Sequence, residues 1–371
     1  MTHEAYMAEA LQLARQGLYS TSPNPRVGCV IVQQDQVVGR GWHQQAGGPH
    51  AEVHALRQAG EQARGATAYV TLEPCSHYGR TPPCADALIQ AGVARVVGAC
   101  RDANPQVADQ GYQRLRDAGI EVIEGVLQAQ AEELNHGFLK RMRCGLPWVR
   151  IKMASSLDGR TAMASGESQW ITGAAARADV QHWRARSCAV ITGVDSVLID
   201  NPSMTVRPQD SHIEQDEHLW RQPLRVVVDS QQRLALDCKL LQQVGKVLWA
   251  STQPAINAHR ASELGELQQW QAPANNGHVD LHALLRHLAE QGCNEVLIES
   301  GAQLAGAFVQ AGLVDELVLY QAPTLLGSQA RPLLSLPFEQ MQQQLRWQWH
   351  DVRQIGDDIR FILRAPTGSS S

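Results

Sequence analysis

Lysine is almost missing from this 371-residue chain: Lys140, Lys152, Lys239 and Lys246 are the only four among 32 basic residues, and the rest are arginine. The basic excess that a phosphate-backbone binder carries is missing too, because Lys and Arg total 32 against 37 Asp and Glu, for a net charge of −5. No run of about 18 apolar residues occurs, which argues against a membrane span. The N-terminus, MTHEAYMAEALQLARQG, lacks the regions of a signal peptide and reads as an amphipathic helix. Eight cysteines are far too few for a disulfide scaffold, so a reducing, cytoplasmic setting is expected. There, the cysteines that matter are metal ligands or nucleophiles. With 44% hydrophobic and only 19% charged residues the chain can still bury a core, which excludes wholesale disorder.

Length alone predicts two domains. The first 145 residues alternate short apolar runs with helical spacing. VGCVIV (27–32) and VVGRGW (37–42) read as a hairpin, 51–59 as a helix, and AYVTL (68–72) as a buried strand. A helix at 85–91, a strand at 95–99, a helix at 112–118 and a strand at 120–123 follow. CGLP at 144–147 punctuates the chain, and a second alternating block begins. Strands are expected at 149–153, 188–193, 225–229, 246–250, 295–298 and 314–320, and helices at 174–185 and 281–291. The polar stretches 209–222 and 253–277 are expected to be surface loops. The expectation is therefore two α/β domains, 1–145 and 146–366, with 367–371 a disordered tail.

The most specific constellation is His50-Ala51-Glu52, then Pro74-Cys75, then Cys84. One imidazole and two thiolates make three ligands for zinc and leave its fourth position open to water, whose pKa the metal lowers to about 7. A carboxylate two residues from the histidine is placed to take the water proton and return it to a leaving amine. The arrangement is that of the zinc nucleobase deaminases, H-x-E…P-C-x-x-C, in which the glutamate is not a ligand. Here eight residues rather than two separate the cysteines. His54, one turn after His50, and His77 are rival ligands, ranked below Cys75 and Cys84. Cys29, Cys100, Cys144, Cys188, Cys238 and Cys293 lie mostly in or beside apolar runs and read as packing residues.

HAE at 50–52 with TLEPCSHYGRTPPC at 71–84, and PNPRVG at 23–28 upstream, resembles the deaminase half of the bifunctional deaminase/reductases of riboflavin biosynthesis. The second block carries ASSLDGR (154–160), SGESQWIT (165–172), GVDSVLIDNP (193–202) and ESGAQLAGA (299–307). It is similar to the reductase half of the same enzymes. No GxGxxG follows its first strand, so a Rossmann site is not signalled. The resemblance implies a cytidine-deaminase-like N-terminal α/β/α domain and a dihydrofolate-reductase-like C-terminal α/β domain. It implies zinc on His50, Cys75 and Cys84 with Glu52 as the proton shuttle. It also implies substrate contacts at Asn24, His77 and Arg80, although Asn24 read alone is a turn residue. For the second half it implies NADPH at Ala154, Trp170, Ser196, Asp200, Ser230 and Gly301, Ala302, Gln303, Leu304, Ala305, Gly306 and Ala307. Ser168, Arg184, Met204, Arg207 and Glu299 are the implied substrate residues. Arg184 and Arg207 are the natural pair for a 5′-phosphate, since guanidinium forks match phosphate oxygens. Ser300 departs from the family's more usual Glu-Gly-Gly but leaves Gly301 in place.

The implied reaction is hydrolytic deamination of a diaminopyrimidinone ribosylamino 5′-phosphate, followed by NADPH-dependent reduction of its ribosyl side chain to ribityl. The expected partner is this small phosphorylated pyrimidine, with no nucleic acid and no membrane. A homo-oligomer, preferably a dimer, is the expected assembly. Three other readings use the same residues: a nucleic-acid base deaminase with an accessory domain, a regulatory protein with a structural zinc site, and an enzyme with one working half.

Overall fold

The computed structural model describes residues 1–76, 83–104, 109–210, 213, 219–256 and 265–366. By contact the chain divides into two units, Met1–Leu146 with the short stretch Asp216–Trp220, and Pro147–Gln215 with Arg221–Ser371.

The first unit starts with helix α1 (His3–Arg15), capped by the Thr2 side chain, followed by strands β1 (Gly28–Gln33) and β2 (Gln36–Trp42). Gln34 and Asp35, both at positive φ, form the two-residue turn between these strands, the geometry whose twist suits a hairpin. Then come α2 (Ala51–Ala59), β3 (Thr67–Leu72), α3 (Cys84–Ala91), β4 (Arg95–Cys100), α4 (Gln110–Asp117), β5 (Glu121–Ile123) and α5 (Gln128–Cys144). The sheet order is β2-β1-β3-β4-β5. β1 is antiparallel to β2 and β3, whereas β3, β4 and β5 run parallel. Apolar clusters line both faces. One packs Ala51, Ala55, Leu88 and Leu115 against Ile31, Val70 and Val96; the other packs Met7, Leu11, Phe138 and Leu139 against Val30 and Val97.

Helix α5 is one of the elements that the sequence reading left out. Its backbone departs from helical geometry at Asn135. The Asn135 amide accepts from the Arg26 N–H (2.8 Å) and donates to the Arg26 carbonyl (2.9 Å), as a neighbouring strand would. The Arg26 guanidinium in turn donates to the Leu134 carbonyl. Together these bonds fix the PNPR segment that carries Asn24.

The second unit contains β6 (Trp148–Ser155), β7 (Arg160–Ala162), α6 (Ala174–Arg186), β8 (Ala189–Gly193), α7 (Val194–Asp200), β9 (Leu224–Val228), β10 (Gly245–Ser251) and β11 (Gly265–Gln271). After them come β12 (Ala274–Asn275), β13 (His278–Val279), α8 (Leu281–Glu290), β14 (Glu295–Ile298), α9 (Ala302–Gln310), β15 (Glu316–Gln321), β16 (Arg331–Pro332), β17 (Gln348–Ile355) and β18 (Asp358–Arg364). The main sheet has the order β11-β10-β9-β8-β14-β6-β15-β18-β17. It is parallel from β11 to β15 and ends in the antiparallel β17–β18 hairpin.

One expectation needs correction here. Residues 253–277 are not all loop: GELQQWQ pairs with β10 along its whole length as β11. As an edge strand it has only Leu267 fully buried, so its sequence reads as polar. Half of 209–222, and the tail at 367–371, lie outside the described residues.

At the amino ends of the central strands a charged cluster is sealed in the sheet. Arg150 is fully buried and pairs with Glu316 and with Glu295 (3.1 Å); Arg186 reaches Glu295 at 3.0 Å and Arg364 reaches Glu316 at 3.3 Å. Desolvation works against the Arg150 charge, and the two carboxylates more than offset it. Mutual pairing of this kind lets charge stay buried without a free partner.

Candidate functional site

In the first unit, small residues bring a helix end to a strand end. Gly39 and Gly41 lie on the face of β2 that meets α2; a Cβ on Gly41 would stand 2.2 Å from the Ala51 carbonyl, and one on Gly39 2.2 Å from that of Ala55. α2 therefore lies close against β2, with His50 as its N-cap and Glu52 in its first turn. Cys75 follows β3, and Cys84 is the first residue of α3.

The ligand atoms of His50, Cys75 and Cys84 all lie within 4.8 Å of one another, the one such metal-holding cluster among the described residues. His50 Nδ1 is 3.1 Å from Cys84 Sγ and 3.6 Å from Cys75 Sγ. Zinc–nitrogen bonds of about 2.0 Å and zinc–sulfur bonds of about 2.3 Å in a tetrahedron put ligand atoms roughly 3.5–3.8 Å apart, so the donor set fits zinc. The Cys84 N–H donates to Cys75 Sγ (3.3 Å), and hydrogen bonding from Cys84, against the opposing effect of burial, brings Cys75 down to about 4. The same sharing pushes the Cys84 thiol up. Glu52 is 3% exposed, and burial raises its carboxyl above the ordinary range. His54 is not part of the cluster.

Asn24 reaches this centre through His43, a residue the sequence reading passed over. The Pro49 carbonyl can only accept, so His43 Nδ1 donates to it (3.0 Å), leaving Nε2 to accept from the Asn24 amide N–H at 3.0 Å. Burial lowers the His43 ring to about 4, which keeps it neutral, and it meets His50 edge-on at 5.3 Å. His77 and Arg80 lie outside the described residues.

Glu73, two residues before Cys75, is the second residue passed over. Its buried carboxylate accepts from the backbone N–H groups of Asp102 and Asp109 (both 3.2 Å), Gly111 (2.9 Å) and Tyr112 (3.3 Å). A Cβ on Gly111 would stand 1.9 Å from the Pro74 carbonyl, so α4 docks directly on the ligand loop.

In the second unit a cavity of about 1990 Å³ opens at the carboxyl ends of the parallel strands. A small-molecule pocket is typically about 300–1,000 Å³, so this one has room for a dinucleotide and a second ligand. Ala154, Trp170, Ser196, Asp200 and Ser230 line it, as do Ser168, Arg184, Met204, Arg207 and Glu299. Within 301–307 the expectation divides: Gly301, Ala302, Gln303, Leu304 and Ala307 line the cavity, whereas Ala305 is buried in α9 and Gly306 faces the Ser335 backbone. Ser300 turns its hydroxyl to the Gly301 carbonyl, and the Gly301 N–H donates to Ser196 Oγ (3.3 Å).

Arg184 clasps Glu299 with two bonds, 2.6 and 3.0 Å, and donates to the Thr205 carbonyl (3.0 Å). Its fork is thus committed to a carboxylate, and the pairing of Arg184 with Arg207 on one phosphate gains no support from this geometry. Burial works to raise Glu299, but Arg184 outweighs it and holds the carboxyl below its ordinary range. Lys152, on β6, lines the same wall, and burial lowers its ammonium. Arg207 is more open, with 41% of its side chain exposed and, among the described residues, Asp210 (2.5 Å) as its ion-pair partner.

Comparison with known proteins places both halves. The model for the cytidine and deoxycytidylate deaminase zinc-binding region matches residues 1–100, and the RibD C-terminal domain model matches residues 147–361. Fold and site therefore define a zinc-dependent deaminase joined to a reductase. The riboflavin biosynthesis protein RibD of Escherichia coli (strain K12) is 52% identical over 365 residues, covering 97% of this chain and 98% of that protein. The RibD protein of Haemophilus influenzae is 49% identical over 98% of this chain and 97% of its own. Two solved structures each match with 98% of both chains covered. Acinetobacter baumannii RibD has a TM-score of 0.89 at 52% identity. The diaminohydroxyphosphoribosylaminopyrimidine deaminase/5-amino-6-(5-phosphoribosylamino)uracil reductase of Thermotoga maritima has a TM-score of 0.85 at 30% identity. The chain belongs to the RibD family of bifunctional riboflavin-biosynthesis deaminase/reductases. No helix among the described residues is long and apolar enough to cross a membrane.

If Glu73 holds the ligand loop, Glu73→Ala leaves four N–H groups without their acceptor, at about 1–3 kcal/mol for each one that stays buried. The expected result is lower zinc content by atomic emission and earlier denaturant unfolding of the first unit. Glu73→Gln, which keeps one acceptor oxygen, should recover part of both. Unchanged zinc content in Glu73→Ala would contradict the role.

Proposed function

We propose that the family's two reactions are divided between the two sites, the first unit releasing ammonia from a phosphorylated diaminopyrimidinone and the second reducing the ribosyl side chain of the product. The observation that carries the first assignment is the convergence of His50, Cys75 and Cys84 within 4.8 Å, beside a buried Glu52. Three protein ligands suit a catalytic zinc better than a structural one, which normally has four. Zinc, once bound, makes a water at its open position acidic enough to supply the attacking nucleophile near neutral pH. Glu52 holds the proton given up by that water and passes it to the departing amine. The His43 bond turns the Asn24 amide nitrogen inward, which leaves its carbonyl oxygen as an acceptor for an N–H of the pyrimidine.

In the second unit NADPH supplies hydride when bound. The backbone around Gly301, at the N-terminus of α9, suits its pyrophosphate. Glu299, held ionised by Arg184, and Lys152 form the polar wall against which the pyrimidine and the open sugar are oriented. Arg207 exchanges Asp210 for the substrate 5′-phosphate. A small substrate rather than nucleic acid fits the net charge of −5, and eight cysteines with no disulfide among them fit a reducing cytoplasm.

Glu52→Ala should retain zinc and lose ammonia release by at least about 100-fold, the usual worth of a positioned acid–base group. Reduction of the deaminated intermediate by the same variant should be unchanged. Persistent deamination in zinc-loaded Glu52→Ala would sink the assignment. Arg207→Ala should raise the reductase KM for the phosphorylated substrate about tenfold or more, with little change in the KM for NADPH, as expected for a lost charge-assisted contact. The opposite pattern would move Arg207 to the cofactor.

A further inference from the structure

We infer, on the basis of the NADPH reading above, that Arg233 selects the 2′-phosphate of the dinucleotide and that Asp195 holds its guanidinium until the cofactor arrives. The sheet order around the cavity is β9-β8-β14-β6. β8 continues through α7 to β9 on one side, whereas β14 continues through α9 to β15 on the other. The connections part between β8 and β14, and the crevice at such a switch point is where an α/β sheet takes a dinucleotide. The two ends of the cofactor then lie over different strands. Lys152 and Glu299, the polar wall for the substrate, stand at β6 and β14, so the reacting nicotinamide lies there and the adenosine lies over β9.

At the end of β9 the chain reads Asp229-Ser230-Gln231-Gln232-Arg233. A carboxylate at such a strand end commonly takes the ribose diol of an NAD cofactor, and it would repel a 2′-phosphate. Here Asp229 is turned into the protein. It is 1% exposed, and Oδ2 accepts from the Leu234 N–H (2.9 Å) and the Trp249 indole N–H (3.0 Å). Ser230, Gln231 and Arg233 line the cavity instead. The Ser230 turn is pinned: its hydroxyl oxygen accepts from the Val279 N–H (3.1 Å), and Thr252 donates to its carbonyl (2.8 Å). The Ser230 hydroxyl proton remains to donate.

The Arg233 guanidinium meets Asp195 at 2.8 Å, with 46% and 61% of the two side chains exposed. An ion pair this open is worth little, about 0.2–1 kcal/mol, so a phosphate dianion displaces the carboxylate readily. Lys239 also lines this part of the cavity. The planar fork of an arginine matches two phosphate oxygens where a lysine offers a point charge.

The test is calorimetric titration of the full-length chain with NADPH and with NADH, free of substrate and independent of turnover. The unsubstituted chain should prefer NADPH. Arg233→Ala should weaken NADPH by roughly 10- to 100-fold, the loss of charged hydrogen bonds, and leave NADH within about twofold. Arg233→Lys should fall between. Asp195→Asn, which frees the guanidinium, should tighten NADPH by up to about fivefold. An unchanged NADPH-to-NADH ratio in Arg233→Ala, or its loss in Lys239→Ala alone, overturns the assignment to Arg233. An unsubstituted chain with no preference for NADPH overturns the cofactor reading itself, and this inference with it.

Discussion

Parallel strand pairing is the constraint on which both sites depend. A parallel ladder requires every connection to cross back over the sheet, so the carboxyl ends of neighbouring strands, and the amino ends of the helices that follow, collect at one edge. In the first unit β3 leads through the Cys75 loop to Cys84 at the start of α3. In the second, the ends of β6, β8, β9 and β14 rim one cavity. The opposite, amino-terminal ends of β6, β14 and β15 hold Arg150, Glu295 and Glu316, sealed in mutual pairs. Rigid charge lies at one end of the sheet and exchangeable charge at the other.

That division also appears in how the arginines are partnered. Arg150 is fully buried between two carboxylates and has no route to a ligand. Arg184 lines the cavity, but its fork is spent on Glu299, so it acts by keeping that carboxylate ionised and oriented. Among the described residues Arg207 and Arg233 each pair with one exposed carboxylate, the arrangement that the proposed phosphate contacts require. In a chain with four lysines, the partner of each arginine, rather than the arginine itself, separates structural from ligand-binding positions.

Much of this was legible in the sequence where residue type and chemistry coincide. A histidine, a glutamate and two cysteines have few reasons to recur in that order, and apolar strands such as VGCVIV and CAVITG declare themselves by burial on both faces. Signals were lost where a residue works through its backbone or at an edge. β11 buries only Leu267 and β17 exposes most of its side chains, so neither carries the apolar signature of a central strand. α5 carries its kink at Asn135, a residue that pairs with Arg26 across 109 positions. Glu73 and His43 bind no ligand atom of the cluster; each orients a neighbour, and nothing in a single sequence marks such a residue. The alternating glycines of VVGRGW were visible, but the need for them arises only when α2 is laid against β2.

The central claim is that one chain performs two successive reactions at two sites of different chemistry. It is tested most directly by supplying the zinc-loaded chain with the diaminopyrimidinone ribosylamino 5′-phosphate and NADPH, and following ammonia release and NADPH oxidation in the same sample. The account predicts that both proceed, with ammonia appearing first and NADPH consumption approaching the same molar amount. Ammonia release with no oxidation of NADPH, or NADPH oxidation that does not wait for ammonia, would contradict it.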